Sequence, residues 1–147
     1  MTSTLPEPRA ALVIRYAYLW RDEYERGQEE GVKDRPCAVI LVTKIAHEET
    51  QVTVLPITHT PPREKAHGVR LPEGTCRRLG LDNEAKWIVL TEANRFVWPG
   101  PDLRVGARGD PRRVDYGFLP ARFFAHVRDS FIALARKQRP PITKRSD

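Results

Sequence analysis

The feature that most constrains this chain is Arg35-Pro36-Cys37-Ala38-Val39-Ile40-Leu41-Val42. A charged stretch, Lys33-Asp34-Arg35, meets a proline, and an unbroken apolar run follows. A continuously apolar strand is buried on both faces, so it belongs in the middle of a sheet rather than at its edge. It needs neighbours on both sides. The stretch VTVLPITHTPP, starting at Val52, supplies one: a strand ending in a proline and a group of hydroxyls around His59. The two segments read as adjoining strands that deliver polar groups to one spot.

The remaining segments extend that sheet. ALVIRYAYLW, from Ala11 to Trp20, is rich in β-formers and reads as a first strand. The charged stretch from Arg21 to Asp34 carries two glycines and no apolar period, so it reads as a loop whose first half can form a short helical turn. GVRLP, from Gly68, is a short strand; EGTCRRLGLDN, from Glu73, is a turn region with room for one helical turn. AKWIVLTEANRFVW, from Ala85, is a further strand, bent near Ala93-Asn94. Residues 99–117 hold three prolines and four glycines and read as irregular. Pro120 then suits the first position of a helix, and Phe124, Val127, Phe131 and Leu134 recur at spacings of 3 and 4 as an apolar stripe. Pro140-Pro141 ends it.

The expected fold is mainly β with a C-terminal helix, a small barrel or strongly bent sheet in one domain over 1–147. The barrel spans about 11–100, the irregular segment about 99–117, the helix about 120–137 and a frayed tail 138–147.

Composition narrows the function. Hydrophobic residues make up 40% and charged ones 30%, which is ordinary for a water-soluble domain. No stretch reaches the roughly 18 to 20 apolar residues that cross a bilayer. MTSTLPEPRAAL lacks a basic start followed by an apolar core. The expectation is a cytoplasmic protein with no membrane partner. The net charge of +6 favours polyanion partners, since displaced counterions drive phosphate binding. Tyr16, Tyr18, Trp20, Trp87 and Trp98 are mostly expected in the core, with a minority free to stack on bases. Cys37 and Cys76 are too few for a disulfide scaffold, and Cys37 reads as a small buried hydrophobe.

His47, His59, His67 and His126 stand apart from the cysteines and from each other, so no metal site is expected. Phosphate-binding and dinucleotide glycine motifs and a serine-nucleophile elbow are absent. An enzyme built on this chain is therefore expected to use no cofactor. What remains for chemistry is Arg35, Thr58, His59, Thr60 and Glu92, at strand ends or in turns. Arginine presents a donor fork that matches phosphate oxygens. A hydroxyl bonds phosphate, and a carboxylate accepts a proton or holds the arginine. Such a set suits charge on a phosphodiester transition state. The same residue types also occur as solvated strand flanks and caps.

In their order, RPCAVILV, VLPIT and WIVLTEANRF, closed by the C-terminal helix, resemble the MazF/PemK family of toxins from bacterial toxin–antitoxin pairs. The likeness runs from about Ile14 to Arg136. It implies an SH3-like barrel forming a homodimer, and a metal-independent endoribonuclease that cuts single-stranded RNA by attack of the ribose 2′-hydroxyl. By position it implies Arg35 as the catalytic arginine, Thr58 as the hydroxyl that holds the phosphate and Glu92 as the catalytic acid position. Lys33, His59, Thr60 and Arg95 would face RNA, and a cognate antitoxin protein would cover the groove.

The sequence departs from the family at several points. GVKDRP lengthens the approach to Arg35, Gln28 stands where some members carry a catalytic histidine, and His59 is an addition suited to proton transfer near neutral pH. Two other readings fit the same residues. One is a non-catalytic toxin of this fold that grips a protein such as gyrase through its C-terminal helix, as CcdB does. The other is a basic RNA-binding barrel that does not cut.

Overall fold

The computed structural model describes residues 5–28 and 33–145. Among them the chain forms strands β1 (Leu12–Tyr16), β2 (Arg35–Lys44), β3 (Thr50–Thr58), β4 (Gly68–Arg70), β5 (Trp87–Val89), β6 (Ala93–Val97), β7 (Asp115–Phe118) and β8 (Ile142–Lys144). Helices α1 (Arg21–Glu25), α2 (Glu73–Leu79) and α3 (Ala121–Lys137) are interspersed. The fold is mainly β: one eight-stranded sheet with a C-terminal helix, six strands running in the order β4-β5-β3-β2-β1-β7 while β6 pairs with β3 and β8 off that path. All pairings are antiparallel except that of β6 with β8.

The apolar run accounts for the middle of this order. β2 pairs β1 along one edge and β3 along the other. Its successive side chains enter two different cores, as the two-residue period of a strand requires. Ala38 and Ile40 join Val13, Leu55, Ile57 and Ile88 on one face, where Val127 and Leu134 of α3 close over them. Cys37 and Val39 join Ile14, Tyr16, Val52, Val54 and Phe96 on the other. The double burial ends at Ile40. The β2–β3 register shifts between Val39 and Leu41, and Leu41 emerges 49% exposed. A bulge re-aims the strand, so Leu41 leaves the core while Val42 still packs against the second one.

Cys37 is fully buried, and burial pushes its thiol well above the ordinary cysteine range. Only the thiolate is reactive. In the native protein at neutral pH, Cys37 should resist alkylation by iodoacetamide and react once denaturant is added; mass spectrometry before and after unfolding reads this out. Modification of Cys37 in the native state would contradict its burial.

Several expectations are corrected. The segment expected as one bent strand from Ala85 is two strands, β5 and β6, and both pair with β3, at its C-terminal and N-terminal halves respectively. The break at Leu90–Glu92 lets one segment serve both halves. The region from Glu73 forms α2, ended by Gly80 at φ +73, a left-handed cap that favours glycine. The stretch 99–117 is not wholly irregular: its end forms β7, which pairs β1. Within it Gly106 has φ +108, and an added Cβ would meet Arg15 at 3.6 Å.

The frayed tail expected over 138–147 is also corrected. Ile142, Thr143 and Lys144 pair with Ala93, Asn94 and Arg95. Arg145 is buried and forms an ion pair with Asp102 at 3.0 Å. Residues 146–147 lie outside the described part, as do residues 1–4 of the expected leaderless start and 29–32 of the expected loop. The first half of that loop forms the short helical turn allowed for it, α1. Among the described residues no helix is long and apolar enough to cross a membrane.

Candidate functional site

The β2–β3 ladder closes at the pair Cys37 and Pro56. Because the strands are antiparallel, the next two positions on each bring Arg35 and Thr58 to the same end. They border a cleft of about 320 Å³. Five cationic side chains line it, Arg15, Lys33, Arg35, Lys86 and Arg108, against two carboxylates, Asp34 and Asp82.

The carboxylates are committed. Asp34 lies between Arg15 at 3.6 Å and Arg104 at 3.5 Å. Asp82 accepts from Lys86, and that hydrogen bond holds its carboxyl below the ordinary range. Arg108 Nη1 donates to the Arg78 and Tyr116 carbonyls, at 2.6 and 3.2 Å. Burial raises the Tyr116 hydroxyl, against the opposing pull of Arg15.

Arg35 differs from these cations. Among the described residues no carboxylate pairs with it; its Nε, like that of Arg15, is buried with no hydrogen-bond partner. Its guanidinium lies 5.0 Å from the centroid of the Trp20 ring. A buried donor without a partner costs about 1–3 kcal/mol. An anion in the cleft would meet a planar donor fork that lies over an indole. Thr58 Oγ1 accepts from the Thr60 backbone N–H at 3.2 Å, a local turn that fixes the hydroxyl at the strand end.

Of the residues singled out from sequence, Lys33, Arg35, Thr58 and His59 therefore share the cleft. Thr60 is exposed beside it and does not line it. Arg95 sits within β6, where its Nε donates to Thr53 Oγ1 at 3.0 Å. Glu92 does not line the cleft either. Its Oε1 accepts from the Tyr18 hydroxyl at 3.0 Å and the Arg21 backbone N–H at 2.9 Å. Tyr18 meets Trp20 edge-on at 5.1 Å, and Trp20 lies under Arg35. Glu92 thus fixes the segment that carries the platform of Arg35.

Burial raises the Glu92 carboxyl above the ordinary range, against the two hydrogen bonds. With the folded value above the unfolded one, Glu92 favours the folded chain below the ordinary glutamate range. That contribution is lost as pH rises through the raised value. Both bonds go to Oε1, which an amide retains. Glu92→Gln should therefore gain stability relative to the wild type between mildly acidic and neutral pH, measured by urea unfolding. A difference that stays constant with pH would show that Glu92 titrates normally.

Sequence reasoning missed Arg15, Lys86 and Arg108 in the cleft. Arg15 carried a signal, as the lone charge inside the first strand. Arg108 carried none, because a turn residue at φ 60 brings it in from the irregular segment.

Among the described residues no group of three or more His, Cys, Asp or Glu side chains is placed to hold a metal ion. No protein-family model matches the chain, and no curated protein matches it.

Proposed function

We propose that this protein is an endoribonuclease toxin of a bacterial toxin–antitoxin pair, built on an SH3-like barrel and similar to the MazF/PemK family. The observation that carries the reading is Arg35. It is an arginine without a carboxylate partner among the described residues, seated on an indole beside the Thr58 hydroxyl in a cleft of net positive charge. The order of sequence motifs that resembles that family supports the same assignment.

In the proposed reaction a phosphodiester of single-stranded RNA binds with its non-bridging oxygens toward Arg35 and Thr58. The ribose 2′-oxygen attacks phosphorus, and its proton passes to a base. The bond from phosphorus to the 5′-oxygen breaks, and that oxygen takes a proton. The products are a 2′,3′-cyclic phosphate and a 5′-hydroxyl, with no water consumed. Arg35 and Thr58 stabilise the charge that builds on phosphorus. His59, exposed in the same cleft, is the group suited to carry the proton. Glu92 acts as a positioning residue through Tyr18 and Trp20. The remaining parts of the reading are a homodimer, an acidic antitoxin segment over the basic cleft, and action in the cytoplasm.

The test is incubation of the purified chain with long mixed-sequence RNA in EDTA. Discrete fragments with cyclic-phosphate ends support the reading. Intact RNA at excess folded protein, free of any partner, would overturn it. The alternative of a gyrase-gripping toxin is disfavoured by the tail. The chain after α3 returns into the sheet as β8 and does not extend from the helix as a free anchor.

A further inference from the structure

Beyond the cleft, the sheet carries a row of side chains that none of the roles above use. Thr58 of β3 is paired with Trp87 of β5, and Trp87 is paired with Arg70 of β4. Directly paired residues share a face, with their Cβ atoms about 5 Å apart. The preceding row in the same strands, Ile57, Ile88 and Val69, is buried in the core beneath α3. Strand alternation therefore turns Thr58, Trp87 and Arg70 to the opposite face.

On that face Trp87 is half-buried and Arg70 exposed. The Arg70 guanidinium lies 5.7 Å from the Trp87 ring centroid. Trp20 and Trp98 pack against the second core, whereas Trp87 packs against neither.

We infer that Trp87 and Arg70 form a nucleotide subsite adjoining the phosphate seat at Arg35 and Thr58, with Trp87 as the stacking platform for a base and Arg70 as the contact for its phosphate. The inference rests on the nuclease reading for its ligand, single-stranded RNA. Three properties match that ligand. The row begins at the hydroxyl assigned to the phosphate, at the rim of the cleft, and runs about 10 Å across the strands. Its members alternate as hydroxyl, π-face and cation, as successive phosphate and base groups require. Base stacking tolerates any sequence, so the subsite adds affinity without specifying a base.

The experiment uses the full chain and a single-stranded 2′-O-methyl oligonucleotide of mixed sequence, which binds but offers no 2′-hydroxyl. Affinity is read by tryptophan fluorescence across a salt series. Trp87→Leu should weaken binding about 5- to 150-fold while Trp87→Phe stays near wild type. Arg70→Ala, at an exposed position, should lower the slope of log affinity against log salt by about 0.7 to 1. Wild-type affinity in folded Trp87→Leu overturns the subsite. Should that variant not fold, an unchanged salt slope in Arg70→Ala does the same, and so does failure of the wild type to bind.

Cleavage of ordinary RNA, run in parallel, separates the two readings. Binding that depends on Trp87 with no cleavage by the wild type overturns the nuclease and retains the subsite. Cleavage by Trp87→Leu at wild-type kcat/KM overturns the subsite and retains the nuclease.

Discussion

Arg35→Ala is expected to slow RNA cleavage by about 10²- to 10³-fold at saturating RNA, with little change in thermal stability. The two halves of this expectation have separate causes. Cleavage suffers because charge accumulates on the phosphoryl oxygens in the transition state, and Arg35 is the cleft arginine not already committed to a carboxylate or to backbone carbonyls among the described residues. Arg15, Lys86 and Arg108 attract RNA without being free to follow that charge. Stability changes little because Arg35 is half-exposed at the start of β2. Its guanidinium lies over the Trp20 ring, a contact worth about 0.5–1 kcal/mol at such a site. Removing the partnerless Nε offsets part of that loss. Arg35→Lys should recover only a small share of the rate, because an ammonium restores charge but neither the planar fork nor the fit to the indole. Single-turnover kinetics beside a thermal melt measure both halves. Cleavage by a folded Arg35→Ala at the wild-type rate would remove Arg35 from the chemistry.

How much of this was legible in sequence depends on the range of the interaction involved. The position of β2 could be read because an apolar run is a local signal, and so could the meeting of Arg35 and Thr58, since adjacent antiparallel strands deliver their ends to one place. The α3 stripe could be read for the same reason: its 3.6-residue period is written in consecutive residues. The fate of Glu92 could not. Its side chain is held by Tyr18 and Arg21, more than seventy positions away, and no local pattern encodes that bond. Arg108 and Arg15 entered the cleft through a turn and a third strand that composition described only as irregular or apolar. The tail misled because RKQRPPITKRSD has the charge and prolines of a solvated end. What recruits it to the sheet is a partner distant in sequence, Asp102, in a segment that itself reads as a loop.

Asp102→Ala is accordingly the substitution expected to cost the most stability, about 3–5 kcal/mol, because it removes the carboxylate that pairs with a buried arginine. The side chain of Arg145 is 2% exposed and that of Asp102 9%. Arg145 also donates to the Ala17 carbonyl at 2.7 Å and to Asn94 Oδ1 at 3.2 Å, and its guanidinium lies 5.6 Å from the centroid of the Tyr16 ring. Asn94 in turn binds both backbone groups of Leu19. One ion pair thus ties the end of the chain to the exit of β1, to β6 and to the loop after it. That region leads directly into Trp20, the platform of Arg35. Set against a typical total stability of about 5–15 kcal/mol, the loss is a large fraction, equivalent to roughly 6–20 °C in Tm for a domain of this size. Replacing both partners with apolar residues, Asp102→Leu with Arg145→Met, should recover most of it, since no buried charge then remains. Differential scanning calorimetry of the wild type, the single and the double variant separates the two contributions. A single variant that melts within a few degrees of the wild type would mean that Arg145 swings out to solvent and that β8 is held by its backbone ladder alone.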